Sequence, residues 1–149
     1  SGTVAGALEG ALLGIPSIAV SLERTSGTFD FSQAASAAAA IAAAVLQNGL
    51  PARTLLNVNV PRRRAKGFRI TVQARRNHVT SVAEKLDPRQ QPYFWIEEGQ
   101  SDWESNERSD YAVVKAGYIS VTPLHPDLTD YDALSHVERL SFGREVETR

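Results

Sequence analysis

The segments Ser17-Ile-Ala-Val-Ser-Leu22 and Arg53-Thr-Leu-Leu-Asn-Val-Asn-Val60 decide the fold of this chain. Each is a short apolar run of the kind that forms a buried strand. An alanine-rich segment lies between them and is long enough for a helix that leads from one strand to the next. Strand, helix and strand in this order predict an α/β fold with a parallel sheet.

A helix is predicted before the first strand. Residues 4–12 place apolar side chains at helical spacing, and Gly14 before an Ile-Pro pair is a helix stop. Gly6 and Gly10 lie one turn apart on this helix. Because glycine disfavours helices, the pair predicts a helix backbone packed closely against a neighbouring strand.

The second helix has signals at both ends. Asp30-Phe-Ser-Gln33 resembles a capping box, and Asn48-Gly49 is a stop signal. Later in the chain, residues 109–115 predict a short helix that ends at Gly117, and residues 118–122 predict a core strand. A last helix is predicted over residues 130–140.

The pattern changes after Pro61. Apolar and polar residues alternate from Phe68 to Arg75, which predicts a half-buried strand with one solvent-exposed face. Residues 92–96 predict a second, aromatic strand. We expect residues 67–99 to form an antiparallel arm that projects from the core. Such an arm buries little by itself, so a partner subunit is expected. The predicted division is a core at 1–61, an arm at 62–100, and a return to the core with a C-terminal helix at 101–149.

Composition narrows the class of protein. The chain has 149 residues, a net charge of −1 and no cysteine. Disulfides, thiolate metal sites and a cysteine nucleophile are therefore excluded from it, and nothing attracts a nucleic acid polymer. The apolar run 34–46 is too short to span a bilayer, so no membrane partner is predicted. These features fit a cytoplasmic location.

The strongest candidate site is Ser1-Gly2-Thr3, immediately before the first helix. Unpaired N–H groups at a helix start, with hydroxyl groups beside them, can bind an anion such as phosphate. The competing interpretation is an ordinary helix N-cap, which is the commoner use of these residues. Local chemistry alone favours the cap.

Other polar groups also have an ordinary interpretation. Three histidines lie outside any recognised zinc spacing and are not predicted to be catalytic: His78, His125 and His136. The acidic cluster at 127–132 is better explained by capping of the last helix than by a metal site. Basic residues 62–66 predict a solvated turn rather than a polyanion site. Asn57 and Asn59 share one strand face and either fix loops or line a cleft. No catalytic residue is identified by chemistry alone.

Four stretches, in the same order, resemble the SurE family. They are Ser1-Gly-Thr-Val-Ala-Gly-Ala-Leu-Glu-Gly10 with residues 14–21, then Leu56-Asn-Val-Asn-Val-Pro61, then the arm with Asp87-Pro-Arg89 and Pro92-Tyr-Phe-Trp-Ile96, and finally Ser109-Asp110 with Ala116-Gly-Tyr-Ile-Ser-Val-Thr-Pro-Leu124. Gln90 stands where the family usually has glycine, and Phe94 where tyrosine is common. These two departures concern the arm and the oligomer it would form.

The resemblance implies a Rossmann-like, three-layer α/β fold with a projecting β-hairpin arm and a C-terminal helix. It implies a phosphomonoesterase that hydrolyses nucleoside 5′- and 3′-monophosphates, and also short polyphosphate, with one divalent cation, Mg²⁺ or Mn²⁺. Ser1, Gly2 and Thr3 match the family's phosphate-binding residues. A homodimer or homotetramer through the 67–99 arm and the C-terminal helix is also implied.

The family's metal ligands have no match here, so we expect them upstream of Ser1 and treat the chain as the C-terminal part of a family member. The chain alone is then expected to be inactive. The alternative is a non-catalytic anion-binding or assembly module of the same fold.

Overall fold

The computed structural model describes residues 2–23, 27–103 and 105–140, and for 76–81 and 97–103 it describes the backbone alone. Ten elements follow one another along the chain. They are α1 (Gly2–Leu12), β1 (Ser17–Leu22), α2 (Ser32–Asn48), β2 (Leu55–Val60), β3 (Phe68–Ile70), β4 (Arg76–Leu86), β5 (Pro92–Trp103), α3 (Asp110–Lys115), β6 (Ile119–Leu124) and α4 (Leu134–Val137). None of the helices within these residues is long and apolar enough to cross a membrane.

Four strands form the main sheet in the order β1-β2-β6-β3. β1 and β2 are parallel, with Ser17 opposite Leu55 and Leu22 opposite Val60, so the predicted parallel strand-helix-strand unit is confirmed. β6 is antiparallel to β2, and β3 is parallel to β6. The fold is therefore a mixed α/β fold rather than a purely parallel one.

Two helices cover opposite faces of this sheet. Successive residues of a strand point to opposite faces, and the side chains of β2 divide accordingly. Leu55 packs with α1 in one hydrophobic cluster, whereas Val58 and Val60 pack with α2 in the other. All three side chains are fully buried. The central strand therefore requires a helix on each side.

Helix α1 approaches β1 at one of its two internal glycines. A Cβ on Gly10 would collide with the hydroxyl of Ser17 and would lie 3.3 Å from the Cβ of Ser17. The predicted close approach is confirmed there. It is wrong at Gly6, where a Cβ would have no described heavy atom within 4 Å. The predicted apolar stripe also fails at Leu12, which is 47% exposed.

The predicted capping box at the start of α2 is wrong. Asp30 does accept hydrogen bonds from the backbone N–H and the hydroxyl of Ser32, at 2.9 and 2.6 Å. Gln33 does not return to Asp30. Its amide instead donates to the carbonyl of Pro61 and accepts from the N–H of Ala65, at 3.0 and 2.7 Å. A side chain predicted to cap its own helix holds the loop after β2.

Residues 68–70 belong to the core sheet, not to the arm, because β3 pairs with β6. The prediction that the apolar face of this strand is buried is also wrong in this chain, since Phe68 is 49% exposed and Ile70 is 71% exposed. β4 and β5 pair with each other as a separate two-stranded antiparallel sheet, from Arg76 opposite Trp103 to Leu86 opposite Pro92.

The last predicted helix is much shorter than expected. The sequence predicted residues 130–140, whereas α4 spans Leu134–Val137. Asp130 accepts a hydrogen bond from the N–H of Ala133 at 3.1 Å, so its carboxylate supports the turn that precedes the helix. Helix α3, predicted over residues 109–115, matches its prediction to within one residue.

The two glycines of α1 offer a matched test of the packing against β1. Gly6→Ala should raise the free energy of unfolding by about 1 kcal/mol, because alanine favours the helix and the site has room. Gly10→Ala should lose this gain, since the new methyl group displaces the Ser17 hydroxyl from its 2.8 Å hydrogen bond to the carbonyl of Ile15. Urea unfolding of the protein carrying this chain measures both. Equal stabilisation by the two variants would contradict the packing.

Candidate functional site

The start of α1 lies at the carboxyl end of the parallel strands. Gly10, near the end of α1, is next to Ser17 at the start of β1, so the helix runs antiparallel to the strand. Eleven helical residues and six strand residues both extend about 16–20 Å. Gly2 is therefore level with Leu22 and the end of β1. Ligands of open α/β sheets bind at this edge.

Gly2 and Thr3 form the exposed first turn of α1. The first N–H groups of a helix have no partner within the helix, and the helix dipole favours an anion there. A Cβ on Gly2 would have no described heavy atom within 4 Å, so packing within these residues does not require glycine. Ser1, the third predicted phosphate-binding residue, lies outside the described residues.

Two adjoining cavities open at the same edge. The first has a volume of about 270 Å³ and lies between the ends of β1 and β2 and the helix α3. The second has a volume of about 400 Å³ and lies beside the loop after β2. They share Glu23, Val114 and Lys115, so they form one groove, which we call the edge groove. Its other lining residues are Leu22, Asn59, Val60, Asp110 and Tyr111 in the first cavity, and Pro61, Arg62, Arg63 and Gly117 in the second.

Ser109 caps α3, and Asp110 connects α3 to the segment after β3. The hydroxyl oxygen of Ser109 accepts the N–H of Ala112 at 3.2 Å, as an N-cap does. The Asp110 carboxylate accepts the N–H of Ala74 at 3.0 Å and the N–H of Tyr111 at 2.7 Å. Asp110 thereby joins α3 to the segment that continues β3. This wall of the edge groove is therefore positioned in part by the Asp110 side chain.

The charged groups of the edge groove are of both signs. Glu23 accepts the N–H of Arg62 at 3.0 Å and donates its own N–H to the carbonyl of Val60 at 2.9 Å, which ties the end of β1 to the loop after β2. The ammonium group of Lys115 lies 5.5 Å from the ring centroid of Tyr111. Arg62 is exposed, in agreement with a solvated turn, yet it also lines the groove.

The groove decides between the two interpretations for Asn59 only. Asn59 lines the first cavity, so it faces a cleft. Asn57 is half-buried between its strand partners Ala19 and Thr122. Asn59 lies opposite Ser120, whose buried hydroxyl has no hydrogen-bond partner within the described part of the chain. The sheet face beneath α3 is therefore polar.

Sequence reasoning missed Glu23, Asp110, Tyr111 and Lys115 as groove residues. Glu23 could have been found, because it directly follows β1 and the carboxyl ends of parallel strands are where ligands bind. The three α3 residues could not, since only the tertiary packing of α3 brings them to this edge.

The acidic cluster forms a turn, and the prediction that it caps the last helix is wrong, because the N-cap of α4 is Ala133 and has no side-chain hydrogen bond. The Asp127 carboxylate accepts from the hydroxyl of Thr129 and from the hydroxyl of Tyr131, both at 2.5 Å. Hydrogen bonding by Thr129, and then by Tyr131, lowers the pKa of Asp127 to about 2. Within residues 2–23, 27–103 and 105–140, no group of three or more acidic, histidine or cysteine side chains could hold a metal ion.

Neither of the two histidines whose side chains the structure describes lines the edge groove. His125 is exposed, and its Nδ1 accepts the N–H of Asp127 at 3.1 Å. His136 is exposed on α4. The side chain of His78 lies outside the described residues.

The role of Asp110 in holding α3 can be tested by paired substitutions. Asp110→Ala should lower the free energy of unfolding by about 1–3 kcal/mol, because two backbone N–H groups lose their acceptor. Asp110→Asn keeps an acceptor oxygen and should lose less. Thermal unfolding of both variants gives the comparison, with Asp132→Ala on the exposed C-terminal segment as a control. Equal losses in the Asp110 variants would contradict the hydrogen-bonding role.

Comparison with known proteins shows which family the chain is similar to. The family model described as Survival protein SurE matches residues 1–80. The chain is 44% identical over 143 residues to 5′-nucleotidase SurE of Syntrophotalea carbinolica, covering 95% of this chain and 57% of that protein. It is 48% identical over 143 residues to 5′-nucleotidase SurE 1 of Thermus thermophilus, covering 96% of this chain and 57% of that protein. The chain thus spans little more than half the length of the curated relatives it matches.

A solved structure agrees with these sequence matches. The crystal structure of the SurE protein from Aquifex aeolicus superimposes with a TM-score of 0.72 at 40% identity, covering 93% of this chain and 56% of the other. The family model covers more than half of this chain, and the fold matches that of a named member. The chain therefore belongs to the SurE family.

Proposed function

We propose that the protein carrying this chain is a phosphomonoesterase that hydrolyses nucleoside 5′- and 3′-monophosphates, and also short polyphosphate. The observation that carries the proposal is the position of Gly2 and Thr3, in the exposed first turn of a helix at the carboxyl edge of β1 and β2. Similar proteins bear the name 5′-nucleotidase SurE, which supports the same substrate class.

In this proposal, α1 binds the phosphate. The N–H groups of Gly2 and Thr3 donate to phosphate oxygens, and the helix dipole favours the negative charge. The Thr3 hydroxyl can donate a further hydrogen bond. Donors that are already in place stabilise charge on the phosphoryl group as it is attacked. Ser1, which matches the same family motif, joins this set.

One divalent cation, Mg²⁺ or Mn²⁺, is part of the proposal. When bound, such an ion polarises phosphoryl oxygens and activates a water molecule. The described residues of this chain do not fit a cation site, because no group of three or more acidic, histidine or cysteine side chains among them could hold a metal ion. We therefore assign the metal ligands to a segment upstream of Ser1, and the chain alone is expected not to release phosphate from AMP.

We further propose a Rossmann-like layered fold, a cytoplasmic protein, and a homodimer or homotetramer. Support for the oligomer comes from the β4–β5 hairpin, the arm of the prediction, whose large apolar side chains are exposed. They include Val82, Leu86, Phe94, Trp95 and Ile96. Apolar side chains on the C-terminal segment are exposed as well, namely Leu134, Val137 and Leu140. Many large exposed apolar side chains are typical of a surface that a partner subunit covers.

The phosphate site is tested by the same substitution at two glycines of α1. A methyl group added at Gly2 or at Gly6 would have no described heavy atom within 4 Å, so both variants should fold. Gly2→Ala places that methyl group where phosphate must approach and should lower kcat/KM for AMP about tenfold or more, which corresponds to ~1.4 kcal/mol. Gly6→Ala, one turn further along, should leave kcat/KM unchanged.

The measurement is metal-dependent phosphate release from AMP and GMP by the protein carrying this chain. If Gly2→Ala and Gly6→Ala have equal activity, α1 does not bind the phosphate. If the unaltered protein releases no phosphate from any phosphomonoester, the non-catalytic anion-binding or assembly module is favoured instead.

A further inference from the structure

We propose that the edge groove holds the nucleoside of the substrate, with the base against α3. This inference rests on the proposed function, because it assumes that α1 binds the phosphate of a nucleoside monophosphate. The two cavities measure about 270 and 400 Å³. Small-molecule sites commonly enclose about 300–1,000 Å³, so the joined groove is of the right size for a nucleoside.

The position of the groove relative to α1 supports the assignment. Both the first turn of α1 and the groove lie at the carboxyl ends of β1 and β2. α1 packs on the sheet face that carries Ala19 and Leu55. Asn59 lies on that same face, because alternate residues of β2 point the same way. A ligand with its phosphate at Gly2 can therefore extend across this face toward α3.

The lining of the first cavity suits a base. Leu22 and Val114 are half-buried and provide aliphatic contacts, and Tyr111 provides an aromatic ring. An aromatic side chain can stack on any of the bases, because every base has a π-face. The amide of Asn59 offers both a donor and an acceptor to base or ribose groups. The cavity thus combines an apolar wall with a few polar groups, as ligand sites do.

Charge favours a nucleoside over a phosphate chain in this cavity. Two carboxylates, those of Glu23 and Asp110, line it beside one ammonium group, that of Lys115, and the carboxylates accept backbone N–H groups of Arg62 and Ala74. Carboxylates accept hydrogen bonds from ribose hydroxyls but repel a polyanion. Arg62, with Arg63, lies in the second cavity, at the outer part of the groove. A polyphosphate chain is therefore the competing occupant, and the test separates the two.

The experiment fills or opens the first cavity in the protein carrying this chain. Val114→Trp fills it, Tyr111→Ala removes the ring, and Tyr111→Phe keeps the ring without the hydroxyl. Ala43→Trp on the exposed face of α2 is the matched control for a bulky substitution. KM and kcat are measured for AMP, for glycerol 2-phosphate, which has no base, and for tripolyphosphate. Thermal unfolding confirms that each variant is folded.

Val114→Trp and Tyr111→Ala should each raise KM for AMP about tenfold or more, while KM for glycerol 2-phosphate changes by less than about twofold. Ala43→Trp should resemble the unaltered protein, and Tyr111→Phe, which keeps the ring, should raise KM for AMP less than Tyr111→Ala does. Equal effects on AMP and glycerol 2-phosphate, or no effect on either, would overturn the proposal. So would a rise in KM for tripolyphosphate alone, which would assign the groove to a phosphate chain. Should no phosphomonoester be hydrolysed even by the unaltered protein, the proposed function itself fails.

Discussion

The side chains of β2 alternate between two separate hydrophobic clusters, with Leu55 on the α1 side and Val58 and Val60 on the α2 side. All three are fully buried. At about 25 cal/mol for each Å² of apolar surface removed from water, covering both faces is the main favourable term for this part of the chain. β2 must therefore have a helix above it, a helix below it and a strand on each side. β1 and β6 occupy those two edges.

This arrangement brings the candidate site together. Because α2 crosses over from β1 to β2, the two strands are parallel and their carboxyl ends meet at one edge. Because α1 returns along β1, its first turn reaches the same edge. α3 completes the edge groove from the other side, where Asp110 fixes it to the segment after β3. Residues from four distant parts of the chain thus line one short stretch of sheet edge.

The sequence predicted the elements more accurately than their long-range contacts. The bounds of β1 were predicted to the residue, and the parallel pairing with β2 was correct, since both depend on local apolar pattern and connection length. Gln33 was misassigned, because the partner that it reaches, Pro61, is 28 residues away. β3 was placed in the arm because alternation cannot show which strand a strand pairs with. Gly6 and Gly10 look alike in sequence, and only Gly10 is next to β1.

The site was predicted only in part for the same reason. Gly2 and Thr3 were identified by their position before a helix and by family resemblance, whereas Tyr111 and Lys115 reach the groove through packing alone. The most direct test of this account is a crystal structure of the protein carrying this chain with a hydrolysis-resistant nucleoside monophosphate analogue. The account predicts phosphate oxygens within hydrogen-bonding distance of the N–H groups of Gly2 and Thr3, and the base against Tyr111. A phosphate bound away from the first turn of α1 would contradict it.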